Sequence, residues 1–225
     1  MDRIQSLLLN EKCFLVNEND VIIGEATKKE CHLVANNGNI KLHRAFSVFL
    51  FNSKNELLIQ KRSAAKITYP NRYTNTCCSH PLSEIPSEKE DINFLGIKRA
   101  AQRRLNYELG IPKEDIPLET IHFLKRIHYK DAGDGTYGEH EIDYILFIQR
   151  DVRLKVNPNE ISEAFYIHID DIHNFVEDNI GKLTPWFHLI YTSGLMMNWW
   201  KNLKNLCQFN DDKEILKLSF NSKEN

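Results

Sequence analysis

The chain has 225 residues and a formal net charge of −2, with 29 Lys and Arg residues against 31 Asp and Glu residues. Hydrophobic residues make up 42% and charged residues 27%, a composition that excludes a wholly disordered chain. Because the charges are balanced, the chain is not a general nucleic-acid binder, and any phosphate site must be local.

The first part of the chain predicts two β-hairpins followed by a long loop region. Apolar residues 13–16 and 21–23 flank a polar turn and predict the first hairpin. Residues 44–51 and 56–60 predict the second, and the first of these strands is apolar enough to be buried on both faces. Residues 62–90 contain three prolines and are predicted to be loop.

A helix is predicted over residues 91–109, where apolar side chains recur at steps of three and four. Gly110 and Pro112 end it. Strands follow near 121–129, 141–149 and 162–168.

The last part of the chain predicts two helices. One covers 170–177, and a long one opens with Thr184 as its cap and Pro185 at its first position. Strands with few helices indicate an α+β fold, a mixed sheet layered with helices. Since there is no repeat or linker, we expect a single domain over 1–225, with a short N-terminal extension and a flexible C-terminal tail.

Five cysteines are present, an odd number that includes one adjacent pair, and no signal peptide is recognised. These features argue against a disulfide framework and favour a reducing, cytoplasmic setting. A peroxisomal location is not excluded, although the final Ser-Lys-Glu-Asn is not a peroxisomal tag. No apolar run is long enough to span a bilayer, so no membrane span is expected.

The segment 74–81, Thr-Asn-Thr-Cys-Cys-Ser-His-Pro, holds the densest group of reactive side chains. The thiol of Cys78 lies two residues before the imidazole of His80. Such a thiol can act as a nucleophile or as an acid or base, or it can share a metal with the imidazole. Two small buried thiols beside a chance histidine would give the same pattern.

A second group is Glu139-His140-Glu141 at the start of a predicted strand. Side chains alternate along a strand, so the two carboxylates share one face and His140 points to the other. Carboxylates on one face repel each other unless a cation lies between them. A metal ion would supply that cation, although a solvated acidic edge is the commoner explanation.

Three histidines, His32, His43 and His80, make a set of five candidate ligands with the two carboxylates, although a lone histidine is more often a structural residue. Imidazoles mixed with carboxylates suit a borderline divalent ion such as Zn²⁺ or Mn²⁺. Spacing alone does not prove that the five side chains converge.

Charged pairs spaced four residues apart form the last group. Arg104 and Glu108 share a helix face, and a surface ion pair would explain them equally well. Arg62 and Lys66 lie near the end of a strand and could clamp an anion, or form a solvated basic turn.

With these motifs, the chain from about residue 13 to 208 resembles the type 1 isopentenyl-diphosphate Δ-isomerases, relatives of the Nudix superfamily. The segments 74–81 and 137–144 carry the resemblance, and 104–111 resembles the distal part of a Nudix box. That box is depleted, because Leu105 and Tyr107 replace two of its glutamates. The loss argues against a Nudix hydrolase, which needs those carboxylates for Mg²⁺ and water.

The resemblance implies the catalytic and metal-binding roles. Cys78 matches the catalytic thiol, Glu141 the second acid or base, and Tyr129 the tyrosine that assists it. The implied metal cage comprises His32, His43, His80, Glu139 and Glu141. Glu108, with the Cys78 carbonyl, matches the ligand of a Mg²⁺ bound to the substrate diphosphate.

The resemblance also implies the substrate contacts. The implied diphosphate-facing cations are Lys28, Arg62, Lys66 and Arg104. Trp186 matches the aromatic over the isoprenoid carbons. Asn71 stands where glycine is expected, and asparagine tolerates the left-handed backbone region that glycine favours.

The implied reaction is the interconversion of isopentenyl and dimethylallyl diphosphate, by protonation of the alkene to a tertiary carbocation and loss of another proton. Its partner is a small isoprenoid diphosphate, with no nucleic acid, and a monomer is favoured. Two alternatives stay open at this point. One is a Nudix-type pyrophosphohydrolase, and the other is a zinc-stabilised binding module in which Cys77, Cys78 and His80 are structural ligands.

Overall fold

The computed structural model describes residues 3–220, which contain ten strands and six α-helices joined by loops and short 3₁₀ turns. In chain order the strands and helices are α1 (Arg3–Leu8), β1 (Lys12–Val16), β2 (Ile22–Thr27), α2 (Lys28–His32), β3 (His43–Phe51), β4 (Leu57–Arg62), β5 (Tyr73–Thr74), β6 (Cys77–Ser79), α3 (Leu95–Leu109), β7 (His122–Asp131), β8 (Glu139–Gln149), β9 (Ile161–Ile167), α4 (Ile172–Asp178), α5 (Pro185–Thr192), α6 (Leu195–Lys201) and β10 (Ile215–Lys217). The end of the predicted C-terminal tail, residues 221–225, lies outside the described range. Within that range no helix is long and apolar enough to cross a membrane.

All ten strands join one mixed sheet, as the sequence predicts for the fold class. Its main path runs β10-β7-β8-β3-β1-β2, with β3 parallel to β8 and β7 antiparallel to β8. Off this path, β4 pairs with β3, β5 and β9, and β6 pairs with β3. The central strand β3 therefore contacts four neighbours along its length.

Strand β3 is buried on both faces, which confirms the expectation from its apolar run. Val48 and Leu50 pack on one face in a cluster that includes Leu105 of α3. Phe49 and Phe51 pack on the other face in a cluster that includes the aromatic side chains of α5 and α6. Since helices cover both sides, alternate residues of β3 serve two separate cores.

The first predicted hairpin is confirmed, because β1 and β2 pair antiparallel from Lys12–Thr27 to Val16–Ile22. The second is confirmed only at its turn. β3 and β4 pair at Phe51 and Leu57 and then separate, because β6 takes the same edge of β3 and β5 takes the same edge of β4.

The prediction of loop over 62–90 is wrong in its middle, where β5 and β6 lie. β6 pairs antiparallel with β3, placing Cys78 opposite Ser47. Strands of two or three residues carry too little periodicity to be recognised, and tertiary pairing alone defines them.

The helix predicted over 91–109 begins at Leu95 instead, because Asn93 and Phe94 adopt left-handed backbone with φ of 50° and 59°. Its end is as predicted, with Gly110 in the left-handed conformation at φ 65°.

The long helix predicted from Thr184 is two helices, since Gly194 at φ 77° interrupts it between α5 and α6. Pro185 does occupy the first helical position, but the Thr184 hydroxyl donates to Thr74 at 2.8 Å instead of capping the helix. Strands near 121–129, 141–149 and 162–168 and the helix over 170–177 are confirmed to within two residues.

We expect Gly110→Ala to destabilise the protein by about 2 kcal/mol or more. The left-handed region costs an L-residue about 1–2 kcal/mol, and an added Cβ would lie 2.5 Å from the carbonyl oxygen of Lys155. The measurement is guanidinium unfolding. Gly38→Ala is the matched control, because Gly38 also has positive φ but open space at its Cβ. Equal losses in the two variants would show that the contact with Lys155 is unimportant.

Candidate active site

Strand register brings the predicted catalytic residues to one face of the sheet. His43 of β3 lies opposite Glu141 of β8, and Tyr129 of β7 lies opposite the same glutamate. Cys78 of β6 reaches this face through its pairing with Ser47 of β3. Residues from four strands, distant in sequence, therefore meet around Glu141.

The helix α2 supplies His32 to the same place. It starts with a capping box, in which the Thr27 side chain accepts from the Glu30 amide and the Glu30 carboxylate accepts from the Thr27 amide. At its end the Gly138 amide donates to the His32 carbonyl at 2.9 Å, next to the start of β8. This bond ties the helix to the strand that carries Glu139.

The five predicted metal ligands converge in the interior. Their ligand atoms all lie within 4.8 Å of one another, and all five residues are buried. The three imidazole rings are 4.8–5.0 Å apart between centroids. The ligand set is His32, His43, His80, Glu139 and Glu141.

Hydrogen bonds from outside the cluster orient two of its imidazoles. The Nδ1 atom of His32 lies 2.6 Å from the Lys28 carbonyl, and Nδ1 of His43 lies 2.9 Å from the Lys41 carbonyl. In the neutral ring, which is the form that binds metal, donation from Nδ1 leaves the Nε2 lone pair directed at the cluster.

Buried polar atoms without hydrogen bonds also mark the cluster. Within residues 3–220, Nε2 of His43 and Oε2 of Glu139 have no hydrogen-bond partner, although each lies within 3.3 Å of an oppositely charged or chargeable group. Burying such atoms is costly unless something binds them. A mixed set of imidazole and carboxylate donors fits a divalent metal, so we assign the cluster as a metal-binding site.

Electrostatics keep Glu141 ionised. Burial alone would raise its pKa, but the adjacent imidazoles of His43 and His80 outweigh it and hold the pKa well below its usual range. For His43, burial acts to lower the pKa, yet Glu141 dominates and raises it to about 9. The carboxylate at the centre of the site is therefore anionic at neutral pH.

Cys78 lies beside this cluster in a polar cradle. Its Sγ donates to Oδ1 of Asn75 at 3.1 Å and accepts from the indole N–H of Trp186 at 3.0 Å. Burial, and then the charge of Asp143, raise its pKa to about 12. The side chain is thus a thiol at neutral pH, able to give a proton to a stronger base.

Cys78 and Glu141 line the same cavity. Tyr129 of β7 also lines the cavity, and its hydroxyl donates a hydrogen bond to Oε2 of Glu141 at 2.6 Å. Most predicted site residues are among the lining side chains, which include Lys28, His32, Arg62, Lys66, Cys78, His80, Arg104, Tyr129, Glu139, Glu141 and Trp186. A thiol and a carboxylate of the metal cluster therefore line one cavity.

The four predicted diphosphate-facing cations gather at this cavity. Lys28 pairs with Glu11 at 2.5 Å, and Arg62 donates to the carbonyls of Thr68 and Tyr69. Lys66 and Arg104 pair with carboxylates deeper in the protein.

The Arg104–Glu108 pair is buried, at 3% and 4% exposure, so its interpretation as a surface pair is wrong. Glu108 accepts from Arg104 at 2.7 Å and from Gln60 at 3.3 Å. Unlike most of the predicted set, Glu108 and His43 are not among the residues that line the cavity. Asn71 adopts φ 59°, the left-handed backbone expected at that position.

Sequence reasoning missed two residues close to the thiol. The Ser47 hydroxyl donates to Asp143 at 2.7 Å and lies 3.5 Å from Sγ of Cys78. Burial, and then the charge of Glu141, raise the pKa of Asp143 well above its usual range. Its position two residues after Glu141 in a strand could have identified it. Ser47, inside an apolar run, carries no such signal.

Glu160 is a third missed residue. Its carboxylate is 2% exposed and accepts from Lys66 at 2.7 Å, Arg104 at 3.0 Å and Gln5 at 2.9 Å. Burial alone would raise its pKa, but Lys66 and Arg104 outweigh it and lower the pKa to about 2. Glu160 thus holds two of the cavity's cations in place.

We expect Glu160→Gln to make the free energy of unfolding less dependent on pH in the acidic range. A folded-state pKa below the ordinary value stabilises the protein above about pH 4.5, and this contribution disappears as pH falls toward 2. At pH 7 the variant should lose about 3 kcal/mol, and the difference from wild type should shrink below pH 4. Denaturant unfolding at several pH values measures it.

The control for this variant is Glu163→Gln, an exposed carboxylate paired with Lys61 on the surface. It should cost less than about 1 kcal/mol. A difference between wild type and Glu160→Gln that stays constant from pH 7 to pH 3 would contradict the expected linkage.

Comparison with known proteins defines the class first. A profile of the NUDIX domain matches residues 41–187. The crystal structure of DR0079 from Deinococcus radiodurans superposes with a TM-score of 0.53 at 18% identity, covering 75% of this chain and 90% of that chain. At that identity the likeness concerns the fold, which is that of a Nudix domain.

Curated relatives narrow the class. Isopentenyl-diphosphate Delta-isomerase 1 of Mesocricetus auratus is 50% identical over 218 residues, which is 96% of this chain and 95% of that protein. Isopentenyl-diphosphate Delta-isomerase I of Clarkia breweri is 48% identical over 227 residues, covering 97% of this chain and 78% of that protein. The chain belongs to the isopentenyl-diphosphate Delta-isomerase family of Nudix-domain proteins.

Proposed function

We propose that the chain interconverts isopentenyl diphosphate and dimethylallyl diphosphate. The observation that carries this proposal is the cavity shared by Cys78 and Glu141, with basic side chains beside it. The names of the relatives supply the substrate, and the geometry supplies groups suited to its two ends. The diphosphate lies against the cations, and the five-carbon skeleton lies between the thiol and the carboxylate.

The reaction adds one proton to the terminal alkene carbon and removes another two carbons away. Cys78 and Glu141 are the two proton-transfer groups, placed on either side of the carbon skeleton. A neutral thiol and an ionised carboxylate form a donor and an acceptor in matching protonation states. Tyr129 donates to Glu141 and stabilises its anionic form.

The intermediate is a tertiary carbocation, which water would trap. The indole of Trp186 is 4% exposed and lines the cavity, where its ring face can stabilise the cation by about 2 kcal/mol or more when water is excluded. The Trp186 N–H, directed at Sγ of Cys78, also stabilises the thiolate after the proton leaves.

Two divalent ions complete the proposed site. A Zn²⁺ or Mn²⁺ ion would be held by the five ligands around Glu141. A Mg²⁺ ion would be held by Glu108, the Cys78 carbonyl and the substrate diphosphate. When bound, such ions supply positive charge that orders the carboxylates and neutralises the diphosphate. Lys28, Arg62, Lys66 and Arg104 position the diphosphate from the protein side.

The hydrolase alternative has weaker support. Tyr107 is 37% exposed and supplies no metal ligand. The binding-module alternative has weaker support too, because Cys77 packs among apolar side chains and does not join the metal cluster.

The test is incubation of the purified chain with isopentenyl diphosphate, with dimethylallyl diphosphate and released phosphate measured together. We expect the isomer and no phosphate. Dialysis against a chelator should abolish conversion, and returning Mg²⁺ with Zn²⁺ or Mn²⁺ should restore it. Phosphate release without isomer would favour the hydrolase, and neither product would refute both enzymes.

A further inference from the structure

Two histidines outside the proposed active site face each other across β7 and β8. Nε2 of His128 lies 3.0 Å from Nε2 of His140, and the two rings meet end to end, 19° from parallel, with 5.1 Å between centroids. In the register His140 lies opposite Lys130, two residues from His128, so the pair is diagonal on one face. This face is opposite the one on which β8 presents Glu139 and Glu141.

We propose that His128 and His140 form a second site for a borderline divalent metal ion, distinct from the five-ligand cluster. Metal–imidazole distances are about 2.0–2.1 Å. Two nitrogens 3.0 Å apart can both bind one ion at an N–metal–N angle of about 95°, once each ring turns to aim its Nε2 lone pair away from the N–N line and at the ion. That angle suits adjacent positions of a tetragonal or octahedral ion such as Ni²⁺ or Cu²⁺.

Hydrogen bonding prepares His140 for this role. Its Nδ1 lies 2.8 Å from the Ile40 carbonyl and donates to it, which leaves an unprotonated Nε2 with a free lone pair. The proton between the two rings therefore belongs to Nε2 of His128. An anchored Nδ1–H of this kind is the usual support of a metal-binding imidazole.

To bind an ion through Nε2, His128 must carry its proton on Nδ1. Among the described residues this buried Nδ1 atom has no hydrogen-bond partner, so the proton moves there without breaking a bond made by Nδ1, but metal binding must outweigh the cost of a buried unpaired N–H. Burial, and then the neighbouring His140, lower the pKa of His128, which keeps the ring neutral. Metal binding then replaces one N–H···N hydrogen bond by two metal–nitrogen bonds.

The surroundings leave room for a bound ion. Both imidazoles are half-buried, so water can fill the remaining coordination positions. Lys217 of β10 lies opposite His128 in the register and pairs with Glu18 at 2.7 Å. Glu18 thus brings a carboxylate to the same side of the sheet, where it neutralises the Lys217 ammonium.

The experiment uses the full chain with its five-ligand cluster loaded and excess metal removed. All variants carry Cys207→Ser, because the exposed Cys207 thiol would also bind metal. Ni²⁺ is the probe, since it ranks high in affinity for nitrogen ligands. Calorimetry gives stoichiometry and affinity, and NMR identifies the imidazole signals that Ni²⁺ broadens.

We expect one additional equivalent of Ni²⁺, with selective broadening of the His128 and His140 signals. His128→Gln should weaken this binding at least about tenfold, because one of two imidazole donors is removed. His122→Gln is the matched control, an exposed histidine on the same strand, and should bind as the parent does.

Three results would overturn the proposal. They are no uptake by the parent chain, unchanged uptake by His128→Gln, and equal loss in His122→Gln. The first means that the rings form only a hydrogen bond, and the others mean that Ni²⁺ binds elsewhere. None depends on turnover, so the proposed isomerase activity and this site can fail independently.

Discussion

Turnover of isopentenyl diphosphate should fall at least about 1,000-fold in Cys78→Ala, with the fold retained. A positioned acid or base contributes about 10²–10⁴-fold, and alanine has no proton to transfer. The change removes one sulfur atom from a half-buried position, so we expect little loss of stability. Isomer formation is measured by product analysis, and folding by circular dichroism.

The neighbouring thiol provides the matched control. Cys77 is fully buried and packs with Leu105 and other residues on the opposite face of β6. Cys77→Ala should therefore reduce the free energy of unfolding while leaving kcat within about threefold of wild type. Near-normal turnover by folded Cys78→Ala would remove the thiol from the mechanism.

The second large effect is expected for Glu141→Gln, also at least about 1,000-fold in kcat. Glu141 contacts His43 at 3.3 Å and His80 at 2.9 Å, and it accepts from Tyr129. An amide retains the size of the side chain, but it is neither a base nor an anionic ligand. Product analysis and metal content are measured on the same preparation.

Comparison with Glu139→Gln separates the two proposed roles of Glu141, metal binding and proton transfer. Glu139 belongs to the same ligand cluster and pairs with His32. Within residues 3–220, however, the Tyr129 hydroxyl donates to Glu141 and not to Glu139. Its variant should lose metal affinity and recover activity in excess metal. Glu141→Gln should not recover. If excess metal restored the activity of Glu141→Gln, Glu141 would act only as a metal ligand and not in proton transfer.

The sequence predicts those parts of the site that depend on the spacing of residues within one strand. Alternation along β8 predicts that Glu139 and Glu141 share a face while His140 does not, and the structure has this arrangement. The apolar run of β3 predicts burial on both faces. In each case a period of two residues carries the information.

The remainder depends on contacts between distant segments. No local pattern shows that β6 pairs with β3, because three residues give no period. Nor does sequence show that Glu160 pairs with Arg104, 56 residues away. The break at Gly194 was missed because the apolar pattern of α5 continues into α6. Tertiary packing decides such features.

The parallel pairing of β3 with β8 gives folding and ion binding a common origin. His43 and Glu141 are neighbours only after almost 100 intervening residues have been arranged, so an unfolded chain offers scattered donors with no chelating geometry. An ion that recognises the assembled donors shifts the conformational equilibrium by mass action. The cellular supply of that ion would then govern how much of the protein persists, as well as how fast it works.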